Sequence, residues 1–173
     1  MDEVLVVDDG SRDGSAAVAR EEGARVHSMG RVAGVGAAIR QGYRLAREGG
    51  FAVAVVMAGN NKDSPEEIPR LLDPIADERA DFVQGSRFLK RDANFGPMPA
   101  YRKVATRVHP WLFSLVAGRR VSESTNGFRA LRCSVLDDPQ LDLDQAWLDE
   151  YELDPYLYLR VLRLGYRLTL KHI

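Results

Sequence analysis

The sequence predicts an α/β domain whose strands lie mostly parallel in one central sheet. Short aliphatic runs alternate with helical patterns along the chain, which is the signature of βαβ units. The first run, Val4-Leu-Val-Val7, holds four β-favouring residues without alternation, as a strand covered on both faces would. At 173 residues, with 45% hydrophobic and 28% charged content, the chain can bury a substantial core without disulfides or metals.

Taken in order, the first strand, Val4–Val7, ends at Asp8, Asp9 and Gly10 and enters a hydroxyl-rich turn that reaches Ser15. Ligands collect at the C-terminal edge of a parallel sheet, so this reads as a strand delivering acids to a ligand. An ordinary strand, turn and helix cap would use the same residue types, with Ser11 or Asp13 capping a helix over Gly14–Glu22. A strand over Ala24–Ser28 follows, then a helix over Gly36–Arg47 that sets Ala37, Ile39, Tyr43 and Leu45 at near-helical spacing. Next come a strand over Ala52–Met57 and a helix opened by Pro65 at its first position behind a Ser64 cap. Phe82–Gly85 is the fourth strand. Lys90–Pro99, closed by Gly96, Pro97 and Pro99, is a loop that serves either as a lid or as a plain connection. A helix over Tyr101–Val116 is kinked or divided by Pro110. The chain closes with a strand near Gly127–Leu131, a helix over Tyr151–Leu164 and a short strand over Arg167–Leu170.

Composition narrows the function. With 24 basic and 25 acidic residues the formal charge is -1, which gives no electrostatic case for nucleic acid; Lys90-Arg91 and Arg119-Arg120 read as solvated surface. The one cysteine, Cys133, excludes an internal disulfide and reads as a small core residue. His27, His109 and His172 have no metal-like or catalytic spacing. Gly34-x-Gly36 lacks the third glycine of a dinucleotide fingerprint, which leaves a Rossmann oxidoreductase a weak rival. No apolar run is long enough to span a bilayer and no signal peptide is evident, so a cytoplasmic domain, peripheral to the membrane at most, is expected.

Asp8-Asp-Gly-Ser-Arg-Asp-Gly-Ser15 resembles the nucleotide-binding turn of the inverting family 2 glycosyltransferases of the GT-A fold, nearest to the dolichol- and polyprenol-phosphate mannosyltransferase branch. The resemblance continues in order through Gly34–Gly42, Val55–Pro65, Gln84-Gly-Ser-Arg-Phe88, Thr125-Asn-Gly-Phe-Arg-Ala130 and Leu164-Gly-Tyr-Arg167, nearly the whole chain. It implies one Rossmann-like, nucleotide-diphospho-sugar transferase domain over residues 1–173, shortened at both ends. The family's first strand, central in its sheet, has no counterpart here. Three outcomes are open: the chain is a fragment, the neighbouring strands close over the gap, or another segment or chain supplies the strand.

The implied reaction moves a sugar from a nucleotide diphosphate to an acceptor, here a polyprenyl phosphate, with inversion. The alternative is a non-catalytic module that binds nucleotide sugar. The resemblance assigns the nucleotide to Asp9, Asp8 and Ser11. Where the family carries Asp-x-Asp for a divalent cation, this chain reads Ala58-Gly-Asn60, with Asp63 the nearest acid. Magnesium or manganese on Asn60 and Asp63 is therefore one expectation, and replacement of the cation by Lys62 or the arginines is the other. Arg87, Arg102 with Thr106, and Arg129 match family positions that meet phosphate, and Arg102 and Thr106 are spaced to share a helical face. Glu123 matches the family's acid before Gly-Phe-Arg and is the candidate base or acceptor-orienting residue, although an exposed loop glutamate looks the same. An exposed sheet edge left by the absent strand would also favour a homodimer.

Overall fold

The structure, a computed structural model, describes residues 2–86, 108, 111, 113–118, 121 and 126–173. The expected lid at Lys90–Pro99, most of the helix over Tyr101–Val116 with its Pro110, His109, and the clusters Lys90-Arg91 and Arg119-Arg120 lie outside the described residues. The chain divides into two compact units, Met1–Ala52 with Asp142–Leu153, and Val53–Leu141 with Asp154–Ile173.

In the first unit, β1 (Leu5–Asp8), α1 (Ser15–Glu21) and β2 (Arg25–Ser28) form a βαβ element whose strands pair in parallel, from Leu5 opposite Arg25 to Asp8 opposite Ser28. Helix α2 (Val35–Glu48) follows and buries Gly36, Ala37 and Tyr43. The expectation that β1 is covered on both faces is corrected: Leu5, Val6 and Val7 are only half-buried. Among the described residues its ladder runs to β2 alone.

The second unit is built on a four-stranded sheet of order β3-β5-β4-β6, from β3 (Val53–Val56), β4 (Phe82–Ser86), β5 (Arg129–Arg132) and β6 (Leu168–His172). β4 runs parallel to β6, and β5 alone is reversed, antiparallel to both its neighbours. Every residue of β4 is buried, because strands flank it and α3 (Ile68–Ala76) packs on it. Leu71 and Ile75 of that helix meet Val83, Phe128 and Ala130 in the core. Pro65 opens a single 3-10 turn, Pro65–Glu67, before α3, and Ser64 stands at its cap with no side-chain capping bond. Helix α4 spans Leu153–Arg163, and Cys133 is buried, as its composition-based reading expected.

Among the described residues, β1 pairs only with β2 and β3 only with β5.

One polar clasp ties three strand ends of this unit together. Asp81 accepts bonds from the Arg167 backbone N–H and Nε, both at 3.0 Å, and from its Nη2 at 2.6 Å, while its own carbonyl accepts from Arg132 N at 2.9 Å. The Arg167 bonds hold the Asp81 carboxyl below its ordinary range despite opposing desolvation. Asp81→Ala should therefore lower unfolding stability by about 1–2 kcal/mol at pH 7, below the full range for charged hydrogen bonds because Arg167 is half in water. A depressed folded pKa stabilises above the unfolded carboxyl value near ~3.9 and is lost as pH falls through the folded value. Urea titrations at pH 7 and below pH ~3 should show the gap between wild type and variant closing in acid.

Candidate active site

The acids that end β1 are held by their own fold. The two oxygens of Asp8 accept Ser11 N–H at 3.0 Å and the Ser28 hydroxyl at 3.2 Å. Bonds from Ser11 first, then Ser28, together with the nearby charge of Arg20, hold this carboxyl below its usual range. Ser28 was not singled out in the sequence, yet the parallel register sets it directly opposite Asp8. The Asp9 oxygens accept the backbone N–H groups of Ala33 at 2.6 Å and Gly34 at 3.0 Å. Between the two contacts the chain passes at close quarters: Gly10 has φ +76°, and a Cβ there would sit 2.8 Å from the backbone of Arg31 and Val32. Turn 8–11 and loop 28–34 thus form one backbone-fixed cradle carrying two carboxylates.

The cap of α1 differs from expectation. Ser11 does not cap it, because its amide turns back to Asp8; Gly14, at φ 84°, is the cap residue. Asp13 instead accepts both the N–H and the hydroxyl of Ser15, at 3.0 and 2.6 Å.

Gly34 and Gly36 serve close approach. A Cβ on Gly36 would land on the carbonyl oxygens of Leu148 and Glu150, and one on Gly34 on that of Asp149. Ala37 N–H donates to that Asp149 carbonyl at 3.0 Å, and Arg40 reaches the Leu143 carbonyl at 3.1 Å and pairs with the Asp149 carboxylate. The N-terminus of α2 is therefore clamped by the segment 142–153. That supplies a reason for Gly-x-Gly that has nothing to do with a dinucleotide.

The second unit carries the remaining described candidates. Beyond β3, Asn60 Oδ1 accepts Lys62 N–H at 3.2 Å, and Asn61 adopts a left-handed φ of 57°. Asn60 is exposed and Asp63 half-buried. Among the described residues no three His, Cys, Asp or Glu side chains gather as a metal cage. Asn60 and Asp63 are the oxygen-bearing candidates at this place, and the Asn60 side-chain oxygen is already engaged in the turn.

Arg129 is 1% exposed in β5 and pairs with Asp154 of α4. Asp154 has no role in the reading of the sequence. Beside this pair, Asn126 donates to the Gly85 carbonyl at 3.2 Å and accepts Phe128 N–H at 3.1 Å, and buried Gln84 donates to the Asn126 carbonyl. These bonds fix the ends of β4 and β5 where the Gln-Gly-Ser and Asn-Gly-Phe-Arg motifs meet. Arg87, Arg102, Thr106 and Glu123 lie outside the described residues.

Compared with solved structures, the chain matches glucosyl-3-phosphoglycerate synthase from Mycobacterium tuberculosis, in complex with Mn2+, UDP and glucosyl-3-phosphoglycerate, at a TM-score of 0.73 and 20% identity. The match covers 99% of this chain and 59% of that one. The match shows the GT-A fold, in which β5 is the reversed strand of the second unit's sheet. The family model for glycosyl transferase family 2 matches residues 1–139, and the chain belongs to that family. Polyprenol monophosphomannose synthase of Mycolicibacterium smegmatis is 36% identical over 169 residues, 94% of this chain and 62% of that protein. Undecaprenyl-phosphate mannosyltransferase of Micrococcus luteus is 32% identical over 172 residues, 96% of this chain and 69% of that protein. The chain thus spans about two thirds of the length of these relatives.

Proposed function

We propose that this chain is the donor-binding part of a glycosyltransferase that moves a sugar from a nucleotide diphosphate to a polyprenyl phosphate with inversion. The observation that carries the reading is the cradle at the end of β1. Each Asp9 oxygen takes one backbone N–H, and a carboxylate has about four acceptor sites, so Asp9 keeps capacity for a base N–H or ribose hydroxyls. Asp8 is buried and bonded to Ser11 and Ser28, which suits a supporting role. Fixed acceptors of this kind bind without reorganising, which is what a donor site requires.

The departing diphosphate needs positive charge, and the reading gives that work to Arg87, Arg102 and Thr106, with Asp63 and Asn60 as the seat of any divalent cation. Such a cation would neutralise charge on the leaving diphosphate. Arg129, matched by resemblance to a phosphate position, is paired internally with Asp154, and the reading assigns it to holding the β5 end. A phosphate acceptor is already anionic at neutral pH and needs alignment more than a base, so Glu123 orients it. Similarity to a polyprenol monophosphomannose synthase and an undecaprenyl-phosphate mannosyltransferase supports the acceptor class.

Calorimetric titration with UDP and GDP, with and without magnesium or manganese, tests the proposal. One nucleotide should bind, and Asp9→Asn should weaken it by about tenfold or more, roughly 1.4 kcal/mol, while the variant keeps its fold by circular dichroism. Any gain from the metal should vanish in Asp63→Ala. Binding to neither nucleotide would defeat the donor reading. Binding without sugar transfer or donor hydrolysis would favour the non-catalytic module.

A further inference from the structure

The cradle that presents Asp9 is held from behind. One of the two amides on the Asp9 carboxylate belongs to Gly34, which is buried and has a φ of 107°. Glycine reaches many other conformations at little cost, so its N–H stays on Asp9 only where neighbours fix the backbone. Those neighbours are Asp149 and Glu150. The Asp149 carbonyl occupies the place a Gly34 side chain would take, and Glu150 Oε1 lies 2.9 Å from it. The same Asp149 carbonyl accepts the Ala37 N–H at 3.0 Å, at the N-terminal end of α2, whose free amides and positive pole suit both groups.

Segment 142–153 is thus a backstop to Gly34, and Arg40 sets where it sits. Gly36, Ala37, Arg40 and Arg44 share one face of α2 by helical spacing. From that face Arg40 donates to the Leu143 carbonyl at 3.1 Å, pairs with the Asp149 carboxylate, and brings its Nε to 3.6 Å from Asp144. One guanidinium therefore grips the segment at two separate places, which its fork of five donors allows and a single ammonium would not. The Arg40 side chain is 18% exposed and that of Asp149 37%, so water screens this pair less than an ordinary surface ion pair. Arg44 differs: half exposed, it pairs at 3.0 Å with Asp144, itself in water.

We propose that Arg40 and Asp149 are positioning residues of the donor site: by seating segment 142–153 against Gly34 they keep the Gly34 N–H on Asp9, and so keep the Asp9 carboxylate aimed at the nucleotide. In this role neither residue meets the nucleotide; both act through Gly34 and Asp9. The nucleotide part rests on the donor reading, whereas the hold on Gly34 stands on the contacts alone.

Arg40→Met keeps the apolar stem and removes the donors. Amide hydrogen exchange followed by NMR, without nucleotide, should accelerate about tenfold or more at Gly34. It should stay within about twofold at Arg25 and Met29, whose N–H groups bond to the Val4 and Asp8 carbonyls and so report the β1–β2 pairing. Asp149→Asn, the milder change, should move Gly34 in the same direction, and Arg44→Met should leave it alone. Titrated with UDP and GDP, Arg40→Met should weaken binding of the nucleotide that binds by about fivefold. In an Asp9→Asn background the same change should cost less than about twofold, because the route through Asp9 is already broken. Unchanged Gly34 exchange in both variants would overturn the proposal whether or not nucleotide binds. Equal acceleration at Arg25 and Met29 would do the same, by marking Arg40 as a residue of general stability, as would a fivefold loss that persists in Asp9→Asn. A parent chain that binds neither nucleotide while Gly34 responds as expected would sink the donor reading and leave the hold of Arg40 on the Asp9 cradle standing.

Discussion

Gly36→Ala should destabilise the first unit by about 3 kcal/mol, although alanine is the better helix former. In an ordinary helix interior the change gains about 0.5–1 kcal/mol. Here the new methyl would fall on the carbonyl oxygens of Leu148 and Glu150, backbone atoms that cannot rotate away. Either α2 or the 142–153 segment must shift, breaking the Ala37 to Asp149 bond and the Arg40 contacts with it. Overpacking of this kind costs about 1–3 kcal/mol, and the lost bonds add to it. Gly42→Ala in the same helix is the internal control. Its nearest neighbour is Val7 Cγ2 at 3.5 Å, ordinary contact, so it should be neutral or slightly stabilising. Urea denaturation followed by circular dichroism compares the three proteins. Equal midpoints for Gly36→Ala and wild type would show that the clamp yields freely.

Asp154→Ala should be nearly as damaging, by about 3 kcal/mol, since it removes a carboxylate from a guanidinium with almost no access to water. The informative companion is Arg129→Met with Asp154→Leu, which replaces the pair with apolar groups of similar size and should recover most of the lost stability. Nucleotide titration of that double variant then separates two roles for Arg129. Retained affinity identifies an architectural residue. Lost affinity in a stable protein would return Arg129 to the phosphates, where the family resemblance put it.

What could be read from the sequence was what depends on neighbours in the chain. The alternation of aliphatic runs and helical spacings located all six described strands to within a residue or two, because each strand's own side chains encode its burial. The acids at the end of the first strand were visible for the same reason. The partners that fix them were not. Ser28 becomes meaningful only through the parallel register with β1, and the Asp9 contacts reach Ala33 and Gly34 across a loop. Asp154 meets Arg129 through the docking of α4 beside β5, which no local pattern announces. The full burial expected of β1 failed because an aliphatic run reports what a strand can bury, whereas its actual cover depends on what packs on its two faces. Glycine spacing at positions 34 and 36 was noticed only as an incomplete dinucleotide fingerprint, since the segment pressed against it, Leu148–Glu150, is remote along the chain.

That separation has a kinetic side. Strand β1, helix α1, strand β2 and helix α2 emerge together, but the turn that seats α2 is synthesised roughly a hundred residues later. At about 5–20 residues per second, ribosomal synthesis leaves the N-terminal element without its clamp for roughly 5–20 s, long compared with helix and hairpin formation. A contact of such high sequence separation also closes slowly once both halves exist. The N-terminal element of the nascent chain should therefore stay open to protease until residues 142–153 emerge and seat on the glycines of α2.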